Sequence, residues 1–167
     1  MKVTIFDGIE FASKKESALR LKPKHLRKRG IIPKLVSILV GDDSASKLYV
    51  SLKKKAAERV GIEMEVREFS ESTKVNKLLR TIEQLNNSGN VHGIMLQLPL
   101  PKKIINYQLS IINSIAPKKD VDGLREDSPF VPATVKAIIS TIEHAKKVLD
   151  LDLNLDYCVV GAKGMVG

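Results

Sequence analysis

The chain has 167 residues, of which 43% are hydrophobic, and this is the composition of a globular protein that can bury its own core. No apolar run approaches the roughly 20 residues of a membrane-spanning helix, and the N-terminus lacks the long apolar segment of a signal peptide. The single cysteine, Cys158, excludes an intrachain disulfide and fits a reducing compartment, so a cytoplasmic location is predicted.

The formal net charge of +9 allows attraction of an anionic partner such as nucleic acid. The densest basic stretch, residues 20–29, is explained as well by a solvated helix face. Aromatic residues make up only 4% of the chain, so the stacking platforms of a single-strand binder are missing. Neither a nucleic-acid nor a membrane partner is therefore expected, and nucleic-acid binding is kept as the lower-ranked alternative.

The first half of the chain alternates predicted helices and strands. A helix over residues 11–29 is expected to break or kink at Pro23, and the apolar run 35–40 suits a strand covered on both faces. Asp42, Asp43 or Ser44 is expected to cap a second helix. Its apolar stripe is Ala45, Leu48, Leu52, Ala56 and Val60. Residues 62–67 then alternate apolar and charged side chains, as in a strand with one wet face.

The second half continues the same pattern. A third helix, capped by Ser72 or Thr73, has the stripe Val75, Leu78, Leu79, Ile82 and Leu85. A buried strand is predicted over 93–98, a short helix around 104–114 and a long helix over 135–149. The alternation predicts an α/β fold, a three-layer domain with a mainly parallel sheet over residues 1–150. Residues 151–167 are predicted to begin a Rossmann-like domain.

Two polar groups lie where a parallel α/β fold binds ligands. Tyr49 and Lys53 are four residues apart, so they project from one helix face and offer a phenol and a candidate acid/base amine. A charged surface edge is the alternative for Lys53. Gln97 follows the third strand, at the sheet edge where ligands bind, and it either orients a ligand or satisfies loop backbone groups.

Two further motifs are informative only in combination. In Lys119-Asp120-Val121-Asp122-Gly123 the two carboxylates predict a turn or acceptors for ligand N–H groups, and they are too few to predict a metal site. The loop 161–167 places Gly161, Gly164 and Gly167 after an apolar strand, where backbone N–H groups can approach phosphates.

Three of these segments occur in a specific order and spacing, namely residues 40–50 followed by Lys53, residues 92–101 and residues 117–124. Together they resemble the signatures of the bifunctional methylenetetrahydrofolate dehydrogenase/methenyltetrahydrofolate cyclohydrolase family. The resemblance implies that 5,10-methylenetetrahydrofolate is oxidised with NADP, or with NAD, and that the methenyl product is hydrolysed to 10-formyltetrahydrofolate. It also implies a homodimer for the full-length enzyme and no metal.

The same resemblance implies a role for each matching residue. Lys53 corresponds to the lysine that shuttles protons in the cyclohydrolase step, and Gln97 to the glutamine that positions it. Tyr49 corresponds to the tyrosine that packs on the substrate, and Asp122 to the aspartate that holds the pterin-like ring. Ser46 and Pro99 are expected to line the same pocket.

The cofactor loop departs from the family pattern. The family's Gly-Arg-Ser is replaced by Gly161-Ala162-Lys163, so Lys163 is expected to replace the arginine beside Gly161, Gly164 and Gly167 at the cofactor phosphates. Because the cofactor site would be present only in part, this chain alone is expected to be a poor dehydrogenase. A folate-binding module without turnover is the alternative.

Overall fold

Three parallel strands and six α-helices form the described part of the chain, residues 6–149 of a computed structural model. The helices are α1 (Gly8–Leu19), α2 (Leu21–Lys28), α3 (Ser44–Val60), α4 (Val75–Asn87), α5 (Gln108–Asn113) and α6 (Ala133–Leu149). The strands are β1 (Lys34–Val40), β2 (Glu63–Phe69) and β3 (Gly93–Leu96), and short 3-10 helices lie at Ile105–Tyr107 and Pro117–Lys119. Within this part, no helix is both long and apolar enough to cross a bilayer.

The sheet has the order β2-β1-β3, with all strand pairs parallel. Parallel neighbours need crossover connections, and helices supply them. Helix α3 joins β1 to β2 on one side, and α4 then brings the chain back to β3 on the other side of β1. The central strand β1 is therefore buried on both faces, as its apolar run predicted.

Two hydrophobic cores lie on opposite faces of the sheet, because successive side chains of a strand point to opposite faces. One core joins β1 and β3 to α4 and α5, and its members include Val36, Ile38, Leu78, Ile82, Leu85, Ile94, Ile111 and Ile112. The other joins the sheet to α3 and consists of Leu39, Val50, Ala57, Met64 and Met95. These two cores give the three layers that the sequence predicted.

The predicted first helix is two helices, and the break lies at Arg20 rather than at Pro23. Pro23 is in the first turn of α2, where backbone N–H groups have no intrahelical acceptor, so the missing N–H of proline costs nothing there. Helix α1 begins earlier than predicted because the Asp7 carboxylate accepts hydrogen bonds from the N–H groups of Ile9 and Glu10.

The predicted apolar stripe of α3 was wrong for Leu48 and Leu52 and correct for Val60. Leu48 and Leu52 are 60% and 52% exposed, whereas the face turned towards the sheet carries Ser46, Val50, Ala57 and Val60. Both faces are spaced at three and four residues, so periodicity alone could not separate them. The cap prediction for this helix is confirmed, since the Asp43 carboxylate accepts from the backbone N–H of Ser46.

Smaller differences concern the ends of elements. Strand β3 ends at Leu96, two residues earlier than predicted. The N-cap residue of α4 is Lys74 rather than the predicted Ser72 or Thr73, and the Lys74 side chain makes no capping hydrogen bond. The apolar stripe predicted for α4 is confirmed, with Leu78, Ile82 and Leu85 buried. The predicted strand 157–160 and the predicted Rossmann-like segment lie outside the described residues.

We expect Gly93→Ala to destabilise the fold. A Cβ atom at Gly93 would lie 2.6 Å from Leu35 Cδ2 and 2.6 Å from Val121 Cγ1, closer than side chains pack. The overpacking should lower the free energy of unfolding by about 1–3 kcal/mol, measured by urea denaturation.

Gly89→Ala is the matched control, because a Cβ atom at Gly89 would meet no heavy atom of the described residues within 4 Å. Equal stability of the two variants would contradict this account of Gly93.

Candidate functional site

Lys53 is on the buried side of α3, in line with the residues that face the sheet. It follows Val50 by three residues and precedes Ala57 by four, so it belongs to the buried face rather than lying beside it. Its side chain is still 33% exposed, because the amine reaches past the apolar core to a polar cleft. A lysine in this position holds its stem against the core while its amine stays accessible to a ligand.

Gln97 directly follows β3, and its backbone N–H donates to the carbonyl of Ile38 at 2.9 Å. Its side-chain Nε2 donates to the carbonyl of Leu98 at 2.6 Å. This bond leaves Oε1 as the free end of the amide, and Oε1 accepts from Lys53 Nζ at 3.4 Å. The structure therefore brings Gln97 into contact with the Lys53 amine, and the same side chain also satisfies a backbone carbonyl of the loop.

Asp122 contributes the carboxylate of the cleft. Its Oδ2 lies 3.7 Å from Lys53 Nζ, and its side chain is only 18% exposed. Burial raises the pKa of the Asp122 carboxyl, the Lys53 amine opposes that rise, and the charge of Asp120 adds to it. The cleft thus holds an amine between an amide oxygen and a carboxylate with altered acidity.

Two glycines allow the chain to bring Asp122 to this position. Asp120 forms a parallel bridge with Ile94, which extends the sheet beyond β3, and Val121 then packs closely over Gly93. Gly123 has φ 67°, and a Cβ atom there would lie 2.4 Å from the carbonyl oxygen of Phe130. Only glycine fits this left-handed position under the returning loop.

Hydrogen bonds hold the segment before Asp120 against the C-terminal end of α4. Lys119 Nζ donates to the carbonyls of Leu85 at 2.9 Å and Ser88 at 2.7 Å, and burial lowers the pKa of this lysine. Asn86 Nδ2 donates to the carbonyl of Ser114, and Asn86 Oδ1 accepts from the N–H of Ala116. Sequence reasoning missed both contacts, because no local pattern connects residues about 30 positions apart.

The other predicted site residues surround this cleft with different exposures. Tyr49 lies one turn before Lys53 and is 63% exposed, so its ring is available for a ligand. Ser46 is buried, and hydrogen bonds from its backbone N–H and its hydroxyl lower the pKa of the Asp43 carboxyl. Pro99 is exposed and follows a cis peptide bond after Leu98.

Gly161, Lys163, Gly164 and Gly167 lie outside the described residues. Among residues 6–149, no three histidine, cysteine, aspartate or glutamate side chains come together as a metal site would require.

Comparison with known proteins adds independent information. A family profile described as tetrahydrofolate dehydrogenase/cyclohydrolase, catalytic domain, matches residues 6–122. The bifunctional protein FolD of Nautilia profundicola is 38% identical over 175 residues, which cover 99% of this chain and 60% of that protein. The chain thus spans about 60% of the length of the curated relatives that it matches.

Solved structures agree with this match. The bifunctional FolD methylenetetrahydrofolate dehydrogenase/cyclohydrolase of Campylobacter jejuni has a TM-score of 0.80 and 36% identity, over 86% of this chain and 54% of that one. The Trypanosoma brucei enzyme, complexed with NADP cofactor and inhibitor, has a TM-score of 0.81 and 27% identity, over 87% and 52%. Because the family profile covers more than half of its residues, this chain belongs to the tetrahydrofolate dehydrogenase/cyclohydrolase family.

Proposed function

We propose that this chain carries the folate site of a methylenetetrahydrofolate dehydrogenase and methenyltetrahydrofolate cyclohydrolase. The observation that carries the proposal is the Lys53 amine, 3.4 Å from Gln97 Oε1 and 3.7 Å from Asp122 Oδ2. The Nautilia relative, a bifunctional protein FolD, and the Campylobacter enzyme support the same assignment. On this proposal residues 1–150 are the catalytic domain and residues 151–167 begin the nucleotide-binding domain.

Lys53 is the proposed proton carrier of the hydrolysis. Water adds to the positive methenyl carbon, one C–N bond breaks, and 10-formyltetrahydrofolate and one proton are released. An uncharged amine can accept the proton of the attacking water, whereas an ammonium would repel the cationic substrate. Gln97 keeps the amine directed at the cleft, because its own Nε2 is held by Leu98.

Asp122 and Tyr49 are the proposed substrate contacts. The half-buried carboxylate of Asp122 can accept N–H groups of a pterin ring in a site with little competing water. The exposed ring of Tyr49, on the same helix as Lys53, offers an aromatic face to the substrate. Ser46 and Pro99 are proposed to complete the wall of the pocket.

Oxidation of the methylene carbon needs a nicotinamide cofactor, which supplies the hydride acceptor when bound. We propose NADP, with NAD as the alternative, since the Trypanosoma relative was solved with NADP. Gly161, Lys163, Gly164 and Gly167 are the proposed phosphate contacts. A homodimer and a cytoplasmic location remain predictions for the whole enzyme.

We expect Lys53→Met to reduce hydrolysis of 5,10-methenyltetrahydrofolate by about 100-fold or more, because general acid–base catalysis contributes on the order of 10² to 10⁴. The loss of the methenyl absorbance measures the rate, and equilibrium binding of tetrahydrofolate measures the affinity. Binding should persist in the variant, since Tyr49 and Asp122 are unchanged.

Lys54→Met is the matched control, because Lys54 is the next residue on α3 and is exposed. Equal hydrolysis by the two variants would refute the role of Lys53. Binding of tetrahydrofolate by the unmodified chain without any hydrolysis would instead favour a binding module.

We expect the affinity for tetrahydrofolate to fall as the pH is lowered through the raised pKa of Asp122. Burial favours the neutral carboxyl, so protonation begins at a higher pH than for an exposed aspartate, and the charged acceptor is lost earlier. Asp122→Asn should weaken binding about tenfold at neutral pH and remove this pH dependence. Isothermal titration across the acidic range measures both effects, and an unchanged pH profile in the variant would exclude Asp122 as the titrating contact.

A further inference from the structure

Asp120 is a fully buried carboxylate that the proposed chemistry does not use. Among residues 6–149, one of its oxygens, Oδ1, meets no hydrogen-bond partner, and the other, Oδ2, accepts from the backbone N–H of Arg125 at 2.9 Å. A buried charge with an unsatisfied oxygen is costly. An amide or a neutral side chain would fill this position at a lower cost if only shape mattered.

Asp120 also joins the two ends of the loop that carries Asp122. Its backbone carbonyl accepts from the hydroxyl of Ser128 at 3.0 Å and from the N–H of Gly123 at 3.3 Å. Together with the bond from Arg125 to Oδ2, these contacts fix the turn on both sides of Asp122. The bridge to Ile94 attaches the same residue to the sheet.

The charged groups near Asp120 already have other partners. The Arg125 guanidinium is occupied by Asp127, at 2.6 and 2.8 Å, and by the carbonyl of Asn113. The Lys53 amine of α3 contacts both Asp122 and the uncharged Gln97, and the charge of Asp120 acts on Asp122 from the same segment of the chain. Asp120 is thus a second carboxylate whose charge acts on the partner of Lys53.

We propose that Asp120 is a positioning residue for the folate site: its buried carboxylate closes the turn that presents Asp122 to Lys53. As a consequence, the charge of Asp120 also acts on the Asp122 carboxyl. The proposal rests on the proposed function for its consequence in catalysis. The effect of the Asp120 carboxylate on the position and ionisation of Asp122 does not require a ligand, so it can be measured in the ligand-free chain.

The test compares Asp120→Asn with Asp120→Ala in the 167-residue chain. Asparagine keeps an oxygen acceptor for the Arg125 N–H and removes the charge, whereas alanine removes both. Asp127→Asn is the matched control, because Asp127 is an exposed carboxylate of the same loop. Nuclear magnetic resonance of carbon-13-labelled side-chain carboxyls follows the titration of Asp122 without ligand, and thermal unfolding measures stability.

In Asp120→Asn the titration midpoint of Asp122 should move to lower pH, because a neighbouring negative charge that favours the protonated form is gone. Asp127→Asn should leave that midpoint in place. Asp120→Ala should bind tetrahydrofolate about tenfold more weakly than the unmodified chain, and asparagine should restore most of that affinity.

An unchanged Asp122 titration in Asp120→Asn overturns the proposal. The proposal is also overturned if the loss of affinity in Asp120→Ala is fully explained by a smaller fraction of folded protein in the unfolding curve. If the unmodified chain fails to bind tetrahydrofolate while the Asp122 titration shifts as expected, the proposed function fails, and the effect of Asp120 on Asp122 stands.

Discussion

The candidate site depends on one constraint, a lysine amine held on the sheet-facing side of a helix. Lys53 lies in the buried row of α3, so its amine must meet polar partners where the apolar core ends. Gln97 and Asp122 supply these partners from the end of β3 and from the segment beyond it.

Much of the described fold serves to bring Asp122 to that amine. The segment before it is tied to the end of α4 by Lys119 and Asn86, and the segment itself extends the sheet beside β3. Gly93 gives the space for Val121 to pack close, and Gly123 gives the turn its left-handed conformation. A carboxylate on a connecting segment thereby acquires the fixed position that a binding site needs.

The electrostatics of the cleft follow from the same packing. Burial raises the pKa of Asp122, and Lys53 and Asp120 act on it in opposite directions. In water these charges would be screened, but in a half-buried cleft the Asp120 carboxylate can change the proton equilibrium of Asp122.

The sequence by itself determined the strand and helix alternation, the parallel sheet and the three separate motifs, because periodicity and turn residues are local properties. It also determined the pairing of Lys53 with Gln97 and Asp122, but only through a family resemblance, since these residues are far apart along the chain. Only the tertiary structure decided which apolar face of α3 is buried, because Leu48 and Val50 are equally apolar and only packing against the sheet distinguishes them. The tertiary structure alone also decided the partners of Lys119 and Asp120, because the fold brings Leu85 of α4 close to Lys119 and the N–H of Arg125 close to Asp120.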